Sequence, residues 1–199
     1  MSRAPARAAV DAPTRASPEA PDVPPQAGRS VPADLPPSAV HLVPMLAAHV
    51  DEVLALERRA YDFPWSRGNF VDSIAAGHLA QRLLDDRGRL LGYFVAMCGA
   101  GEMHLLNLSV APEEQGRGRA RTMLDALIAE CRAAGVRPLW LEVRAGNRRA
   151  RSLYGRYGFA EVGVRRGYYP AAAADAPSAP GAVREDAVVM TLDVGTAPP

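Results

Sequence analysis

Residues 113–124 read EEQGRGRARTML, and this stretch decides how the chain is interpreted. Two glycines and three arginines stand where an amphipathic helix pattern begins. Because a glycine inside a helix costs about 1 kcal/mol relative to alanine, the pattern predicts a loop whose exposed backbone is used. The run LLNLSV before it favours a strand, so the order is strand, glycine loop and helix.

This order directs free backbone N–H groups and the positive end of a helix dipole at one point, which is typical of an anion site. Glycines let a phosphate approach the main chain closely, and Arg117, Arg119 and Arg121 add positive charge. The plain alternative is a turn that only connects strand and helix. Neither the Gly-Lys-Ser/Thr motif nor a third glycine at the dinucleotide spacing is present.

Helix and strand patterns alternate on both sides of this loop. Helices are predicted over residues 44–60, opened by a proline, and from Ser66, which can cap the second one. Residues 78–110 predict three antiparallel strands separated by DRG and GAG turns. After the loop come a helix ending at Gly135, the strand PLWLEV, a helix ending at Gly158, and the strands FAEVGV and DAVVMTLDV. The chain is therefore predicted to be an α/β protein with a sheet of mixed strand directions.

The domain organisation follows from composition. The 199 residues, 48% of them hydrophobic, suit one globular domain, which is predicted over residues 38–194. Residues 1–37 are rich in Ala, Pro and Arg without apolar periodicity, so they are predicted to be a disordered tail. Residues 195–199 form a short C-terminal tail, and the run PAAAADAPSAPG over 170–181 predicts a flexible loop.

Charge and cysteine usage narrow the function classes. A formal net charge of +1 gives no reason to expect nucleic acid or a membrane surface as the main partner. Cys98 and Cys131 have neither metal-site nor disulfide spacing, and the four histidines show no paired spacing, so no metal is predicted. No apolar run reaches the length of a transmembrane helix. We therefore expect a cytoplasmic protein.

Two stretches carry a specific resemblance. QGRGRA, with Gln115, Gly118 and Ala120, resembles the Gln/Arg-x-x-Gly-x-Gly/Ala signature of the GNAT family of N-acetyltransferases. NRRARSLYGRYGF, over residues 147–159, resembles that family's second signature. LLNLSVAP, LWLEVRAGN and RRGYYP are similar to its ribosomal-protein alanine N-acetyltransferase (RimI-type) subfamily, over about residues 40–194. The resemblance implies a GNAT fold: a mixed, mostly antiparallel central sheet flanked by helices, with strands splayed around acetyl-CoA.

The resemblance also implies where acetyl-CoA binds as co-substrate. The strand edge over residues 106–110, including Leu108 and Val110, is expected to pair with the pantetheine amides. Asn147 would support the same arm, although it could equally be a plain helix cap. The backbone around the loop is expected to hold the pyrophosphate, at Gln115, Gly116, Arg117, Gly118, Arg119, Ala120 and Arg121.

Two residues match the family's acid–base positions. Glu142 in PLWLEV would accept the amine proton, through water, and a weak base suffices because an α-amino group has a pKa of about 7.7–8.0. The alternative is that Glu142 is an ordinary surface residue at the end of a strand, exposed to water. Tyr154 would protonate the departing thiolate; its alternative is a core tyrosine with a satisfied hydroxyl. Ser109 lacks a Gly-x-Ser-x-Gly context, so direct transfer is expected rather than a covalent intermediate.

Aromatic residues mark the expected acceptor side. Trp65 in YDFPWS lies between two predicted helices, and Tyr168 and Tyr169 in RRGYYP lie in a predicted loop. These three could wall a groove for an extended peptide end; alternatively, Trp65 fills the core between the helices. Four acidic residues could attract a basic acceptor tail or be merely solvated: Glu102, Glu113, Glu185 and Asp186.

The predicted function is acetyl-CoA-dependent acetylation of the N-terminal alanine of small-subunit ribosomal protein number eighteen. Three alternatives stay open at this point. One is relaxed activity on many protein N-termini, and a second is acetylation of small amines such as polyamines. The third is a silent acyl-CoA-binding module, which would need neither Glu142 nor Tyr154.

Overall fold

The computed structural model describes residues 39–170 and 184–195. Those residues form seven strands and four α-helices in the order β1, α1, α2, β2, β3, β4, α3, β5, α4, β6, β7. The strands are β1 Val40–Pro44, β2 Leu79–Asp85, β3 Leu90–Gly99, β4 Glu102–Val110, β5 Pro138–Arg144, β6 Ala160–Pro170 and β7 Arg184–Asp193. The helices are α1 Val50–Ala60, α2 Arg67–Ala75, α3 Arg119–Ala133 and α4 Arg148–Arg156.

The strands form one sheet in the order β1-β2-β3-β4-β5-β7-β6. All neighbours are antiparallel except β4 and β5, which run parallel. That parallel pairing covers only Met103–Leu105 against Leu139–Leu141. Beyond it the C-terminal halves of β4 and β5 separate, and we call this gap the sheet opening. The expected mixed sheet with splayed strands is confirmed.

Apolar clusters cover both faces of the sheet. Residues of α3 and α4 pack on one face, together with Leu139, Leu141 and Val143 of β5. Residues of α1 and α2 pack on the other face. Because side chains alternate along a strand, Glu142 lies on the α1–α2 face. Glu142 and the apolar residues Leu139, Leu141 and Val143 of β5 therefore lie on different sides of the sheet.

The predicted helix over residues 44–60 is wrong at its start. Pro44 ends the edge strand β1, a 3₁₀ turn covers Ala47–His49, and α1 begins only at Val50. Leu46, which directly precedes the 3₁₀ turn, is 56% exposed. A proline is tolerated at the end of an edge strand, where its missing N–H costs no ladder bond.

The loop predicted around Tyr168 and Tyr169 is also wrong, because β6 continues to Pro170. The strand shifts register between Arg165 and Tyr169, and Gly167 there has φ +56°. Asp186 of β7 accepts a hydrogen bond from the Gly167 N–H at 2.7 Å, which carries the pairing past the irregularity. A glycine at position 167 is compatible with either a loop or a β-bulge. The pairing of β6 with β7 shows that it is an irregularity within a strand.

The other predicted elements are confirmed. Ser66 caps α2 by accepting a hydrogen bond from the Asn69 N–H at 3.3 Å, and left-handed glycines follow α3 and α4 at Gly135 and Gly158. The predicted N-terminal tail over residues 1–37 lies outside the described residues, as do residues 196–199 of the predicted C-terminal tail and residues 171–181 of the predicted loop. Within the described ranges, no helix is long and apolar enough to cross a membrane.

Candidate functional site

The sheet opening exposes one edge of β4. The backbone carbonyl of Leu108 accepts a long hydrogen bond from the Tyr61 hydroxyl, at 3.4 Å. The carbonyl of Val110 accepts one from Gln115 Nε2, also at 3.4 Å. Both contacts are side-chain substitutes for strand pairing, so this edge can pair with an extended ligand instead.

The glycine loop leads from this edge into α3. Gly116 and Gly118 both adopt left-handed backbone, with φ of +79° and +80°. Gly118 is the N-cap of α3, so the N–H groups of the first helical turn point out of the helix without intrahelical acceptors. A Cβ added at Gly118 would have no described protein atom within 4 Å. The space above the loop is therefore open, as an anion site requires.

A cleft of about 310 Å³ lies over this loop and extends along one side of α4. Its lining includes Val110, Gln115, Gly116, Gly118, Arg119, Ala120, Arg121, Arg149, Leu153 and Arg156. Arg149 and Arg156 are not marked as site residues by the sequence motifs. Their spacing is nevertheless informative, because positions 149, 153 and 156 lie on one face of a helix. The cleft is thus lined by arginine side chains from both α3 and α4.

Two of the loop arginines contact a buried acid. The Glu114 carboxylate is 2% exposed and pairs with Arg89 at 2.9 Å, Arg119 at 3.2 Å and Arg117 at 3.5 Å. Burial raises the pKa of Glu114, but the hydrogen bonds from Arg89 and Arg119 outweigh it and hold that pKa below its usual value. Arg117 and Arg119 therefore shape the loop through Glu114, and of these two only Arg119 also lines the cleft.

Asn147 caps α4. Its Oδ1 accepts a hydrogen bond from the Ala150 N–H at 3.0 Å. The capping role is thus observed, and a contact between Asn147 and the pantetheine arm stays a prediction.

Glu142 is enclosed rather than solvated. Its carboxylate is 2% exposed, with Oε2 3.0 Å from His104 Nε2 and Oε1 3.1 Å from Arg165 Nη2. The alternative of a solvated strand end is therefore wrong. Neither His104 nor Arg165 is recognisable from sequence, because their proximity depends on the β4–β5 register and on how β6 joins the sheet.

Tyr154 is fully buried in α4, with its ring centroid 5.5 Å from that of Phe159. Its hydroxyl has no hydrogen-bond partner among the described residues. The alternative of a core tyrosine with a satisfied hydroxyl is therefore wrong. Burial, with a smaller contribution from the Tyr61 phenol, raises the pKa of Tyr154 far above its usual value. The phenol therefore keeps its proton near neutral pH.

Glu142 and Tyr154 approach the sheet from opposite faces. Tyr154 belongs to the apolar cluster under α3 and α4, whereas Glu142 lies on the α1–α2 face. Glu142 directly follows Leu141, where β4–β5 pairing ends. A reacting group held in the sheet opening would therefore have a base on one side and an acid on the other.

A second buried carboxylate supports the β4 side of the opening. Glu57 of α1 is fully buried and accepts hydrogen bonds from the Trp65 N–H at 2.9 Å, from Asn107 at 3.4 Å and from the Tyr93 hydroxyl. Ser109 Oγ lies 3.3 Å from Glu57 Oε2. The sequence holds a signal for this network, because Glu57 interrupts the apolar face of α1.

The expected acceptor residues lie around a second cleft of about 390 Å³. Its lining comprises Asp62, Phe63, Pro64, Trp65, Asn69, Tyr169 and Pro170. Trp65 both lines this cleft and fills the core, since its ring packs 5.2 Å from Phe70. Tyr169 is almost fully buried and its hydroxyl donates to the Glu142 carbonyl at 3.0 Å. Of the two tyrosines Tyr169 lines the cleft, and Tyr168 lies edge-on beside it.

Three of the four carboxylates considered for a basic acceptor tail, Glu113, Glu185 and Asp186, have partners within the protein. Glu185 pairs with Arg144 at 2.9 Å and accepts from the Gly146 N–H at 2.7 Å. Glu113 pairs with Arg59 at 3.2 Å. These acids stabilise local structure, so they give little support for a role in attracting the acceptor.

Comparison with known proteins finds related sequences and a related fold. A family model described as the acetyltransferase (GNAT) family matches residues 50–159. The chain is 36% identical over 139 residues to the [ribosomal protein bS18]-alanine N-acetyltransferase of Escherichia coli, covering 70% of this chain and 87% of that protein. It is 33% identical over 144 residues to the same-named protein of Haemophilus influenzae, covering 72% and 92%. The crystal structure of the ribosomal-protein-S18-alanine N-acetyltransferase from Escherichia coli superposes with a TM-score of 0.69 at 32% identity, covering 80% of this chain and 96% of that one.

Proposed function

The chain belongs to the GNAT family of acetyltransferases, and on that premise we propose that it acetylates the N-terminal alanine of ribosomal protein bS18. The observation that carries the proposal is the placement of Glu142 and Tyr154 on the two faces of the sheet opening. The relatives that share most of this domain are named for that same acceptor. Because ribosomal proteins are made in the cytoplasm, we place the reaction there.

The residues around the first cleft fit acetyl-CoA. Its phosphates would meet the N–H groups at the start of α3 and the guanidinium groups of Arg121, Arg149 and Arg156. Its pantetheine amides would pair with the β4 edge at Leu108 and Val110, in place of the long side-chain contacts there. The unpartnered Tyr154 hydroxyl is a further sign of fit, since a buried hydroxyl without a partner is costly unless a ligand completes it.

The proposed chemistry needs one proton acceptor and one proton donor. Acetyl-CoA supplies an acetyl thioester, whose C–S bond breaks as the amine forms the new C–N bond. Glu142 takes the proton released by the amine, directly or through water. Tyr154 gives its proton to the departing sulfur, so the protons balance. A silent acyl-CoA-binding module would need neither an enclosed carboxylate nor a buried phenol without a partner.

The second cleft gives the acceptor its path. It lies on the α1–α2 side, and the Tyr169 hydroxyl links its wall to β5 at Glu142. We propose that the residues after the N-terminal alanine lie against Trp65 and Tyr169. A small first side chain would then let the α-amine reach the sheet opening without a clash.

An acceptor competition tests this proposal. Equal concentrations of three acceptors are offered with acetyl-CoA: an Ala-initiated basic peptide, the same peptide with a blocked N-terminus and one added lysine, and a polyamine. We expect efficient acetylation of the free N-terminal alanine and little of the lysine, whose amine is mostly protonated at pH 7. Mass spectrometry locates the acetyl group. Preferential modification of the lysine or the polyamine would overturn the N-terminal acceptor while leaving the acetyltransferase assignment intact.

A further inference from the structure

Both oxygens of the Glu142 carboxylate already have partners. His104 holds Oε2 at 3.0 Å and Arg165 holds Oε1 at 3.1 Å. A base that must receive a proton from an incoming amine needs one oxygen to become accessible. The carboxylate is buried, so leaving it without a compensating partner would be strongly unfavourable. The most direct way for the acceptor to reach this enclosed carboxylate is to take the place of one existing partner.

The two partners differ in how easily they can leave. The His104 side chain is 21% exposed and extends from the interior strand β4. The Arg165 side chain is 54% exposed and extends from β6, which is at the edge of the sheet. Its guanidinium also lies 5.4 Å from the Tyr168 ring centroid, a favourable cation–π distance. Arg165 thus has both solvent and an aromatic face available when it releases Glu142.

We propose that Arg165 is a displaceable counter-ion of Glu142, and that the α-ammonium of the acceptor takes its place. One cation replaces another, so the buried carboxylate stays paired throughout. The bound ammonium first loses one proton to solvent by way of Glu142 and becomes the reactive amine. Glu142, again a carboxylate, then takes the second proton as the C–N bond forms. Arg165 acts through Glu142 and is therefore a specificity residue rather than a catalytic one. This inference rests on the proposed function, because it requires an amine-bearing acceptor at Glu142.

The displacement predicts a particular pattern of acceptor binding. Replacing Arg165 with glutamine removes the competitor, so an acceptor with a free ammonium should bind more tightly. An acceptor that lacks the ammonium does not compete with Arg165 and should be unaffected. Arg165→Lys keeps a cation beside Glu142 and should retain wild-type behaviour. Arg166→Gln, one residue further along β6, removes the same charge without removing the Glu142 partner.

The experiment measures peptide dissociation constants by calorimetry, in the presence of a CoA analogue that cannot transfer acetyl. The probes are an Ala-initiated basic peptide and its N-acetylated form. For Arg165→Gln we expect the constant of the free-amine peptide to fall at least threefold, with that of the acetylated peptide unchanged. Arg166→Gln should leave both constants at their wild-type values. In turnover assays, Arg165→Gln should lower the acceptor KM without raising kcat.

Three results would overturn the inference. Circular dichroism first confirms that each variant is folded. Unchanged or weaker binding of the free-amine peptide by folded Arg165→Gln would show that Arg165 does not compete with the acceptor. Equal gains for both peptides would show only a general charge effect. If the wild-type enzyme does not acetylate the Ala-initiated peptide at all, the proposed function fails, and this inference falls with it.

Discussion

At the scale of single residues, the two candidate catalytic side chains are both buried, but only one of them has polar partners. The Glu142 carboxylate is enclosed but compensated by His104 and Arg165. The Tyr154 hydroxyl is enclosed and has no partner among the described residues. An unsatisfied buried polar group costs about 1–3 kcal/mol, so the fold is less stable with this hydroxyl than without it. Such a cost is typical of a group retained for function rather than for folding.

This cost predicts a trade-off between stability and activity at Tyr154. Tyr154→Phe should lower kcat by roughly 10²–10⁴, because it removes a proton donor, and should raise the free energy of unfolding by about 1 kcal/mol or more. Tyr169→Phe is the matched control for stability. Its hydroxyl donates to the Glu142 carbonyl, so its loss should lower the free energy of unfolding. Urea unfolding and steady-state kinetics measure both effects. A loss of stability in Tyr154→Phe would mean that the hydroxyl has a structural partner.

At the scale of elements, α3 has a left-handed glycine at each end. Gly118 precedes it with φ +80°, and Gly135 follows it with φ +67°. A Cβ at either position would meet no described atom within 4 Å. Because φ is positive at both positions, any residue with a side chain would be strained at either end of the helix. Only the N-terminal end borders the proposed phosphate site. A substitution at Gly135 therefore serves as the control for the same substitution at Gly118.

Gly118→Val should raise the acetyl-CoA dissociation constant at least tenfold, on the order of 1.4 kcal/mol. The physical reason is that the new side chain occupies the open space above the loop. Gly135→Val should produce a similar loss of stability from backbone strain and leave acetyl-CoA affinity near wild type. Calorimetry measures the two constants. Equal affinities in the two folded variants would place the phosphates elsewhere.

The elements that the sequence predicts are those with local signals. The glycine loop, α3 and α4 are set by neighbours within one or two helical turns, so their sequence patterns suffice. The start of α1 is mispredicted because Pro44 suits a first helical turn and an edge-strand end equally well. The pairing of Glu142 with His104 spans 38 residues and depends on strand register. No local pattern carries that information, and the same holds for Arg165.

At the scale of the whole molecule, the Glu57 network joins the proposed acceptor side to the sheet opening. Glu57 holds the Trp65 backbone N–H, at the wall of the second cleft. It also contacts Tyr93 of β3 and Asn107 and Ser109 of β4. One carboxylate thus fixes the α1–α2 connection against the strand that forms one side of the opening. Acceptor binding should depend on it more than acetyl-CoA binding does.

Glu57→Ala should therefore damage the two sides of the molecule unequally. It leaves several buried donors unsatisfied, so we expect the free energy of unfolding to fall by at least about 2–3 kcal/mol. Because Trp65 loses its anchor, the acceptor KM should rise several-fold, whereas the acetyl-CoA dissociation constant should change less. Asp51→Ala on the same helix is the control, since both side chains of its pair with Arg67 are exposed and exposed pairs contribute only up to about 1 kcal/mol. Urea unfolding and calorimetry with each substrate measure these quantities. Equal weakening of both substrates in Glu57→Ala would show that the network supports the whole fold and not the acceptor side in particular.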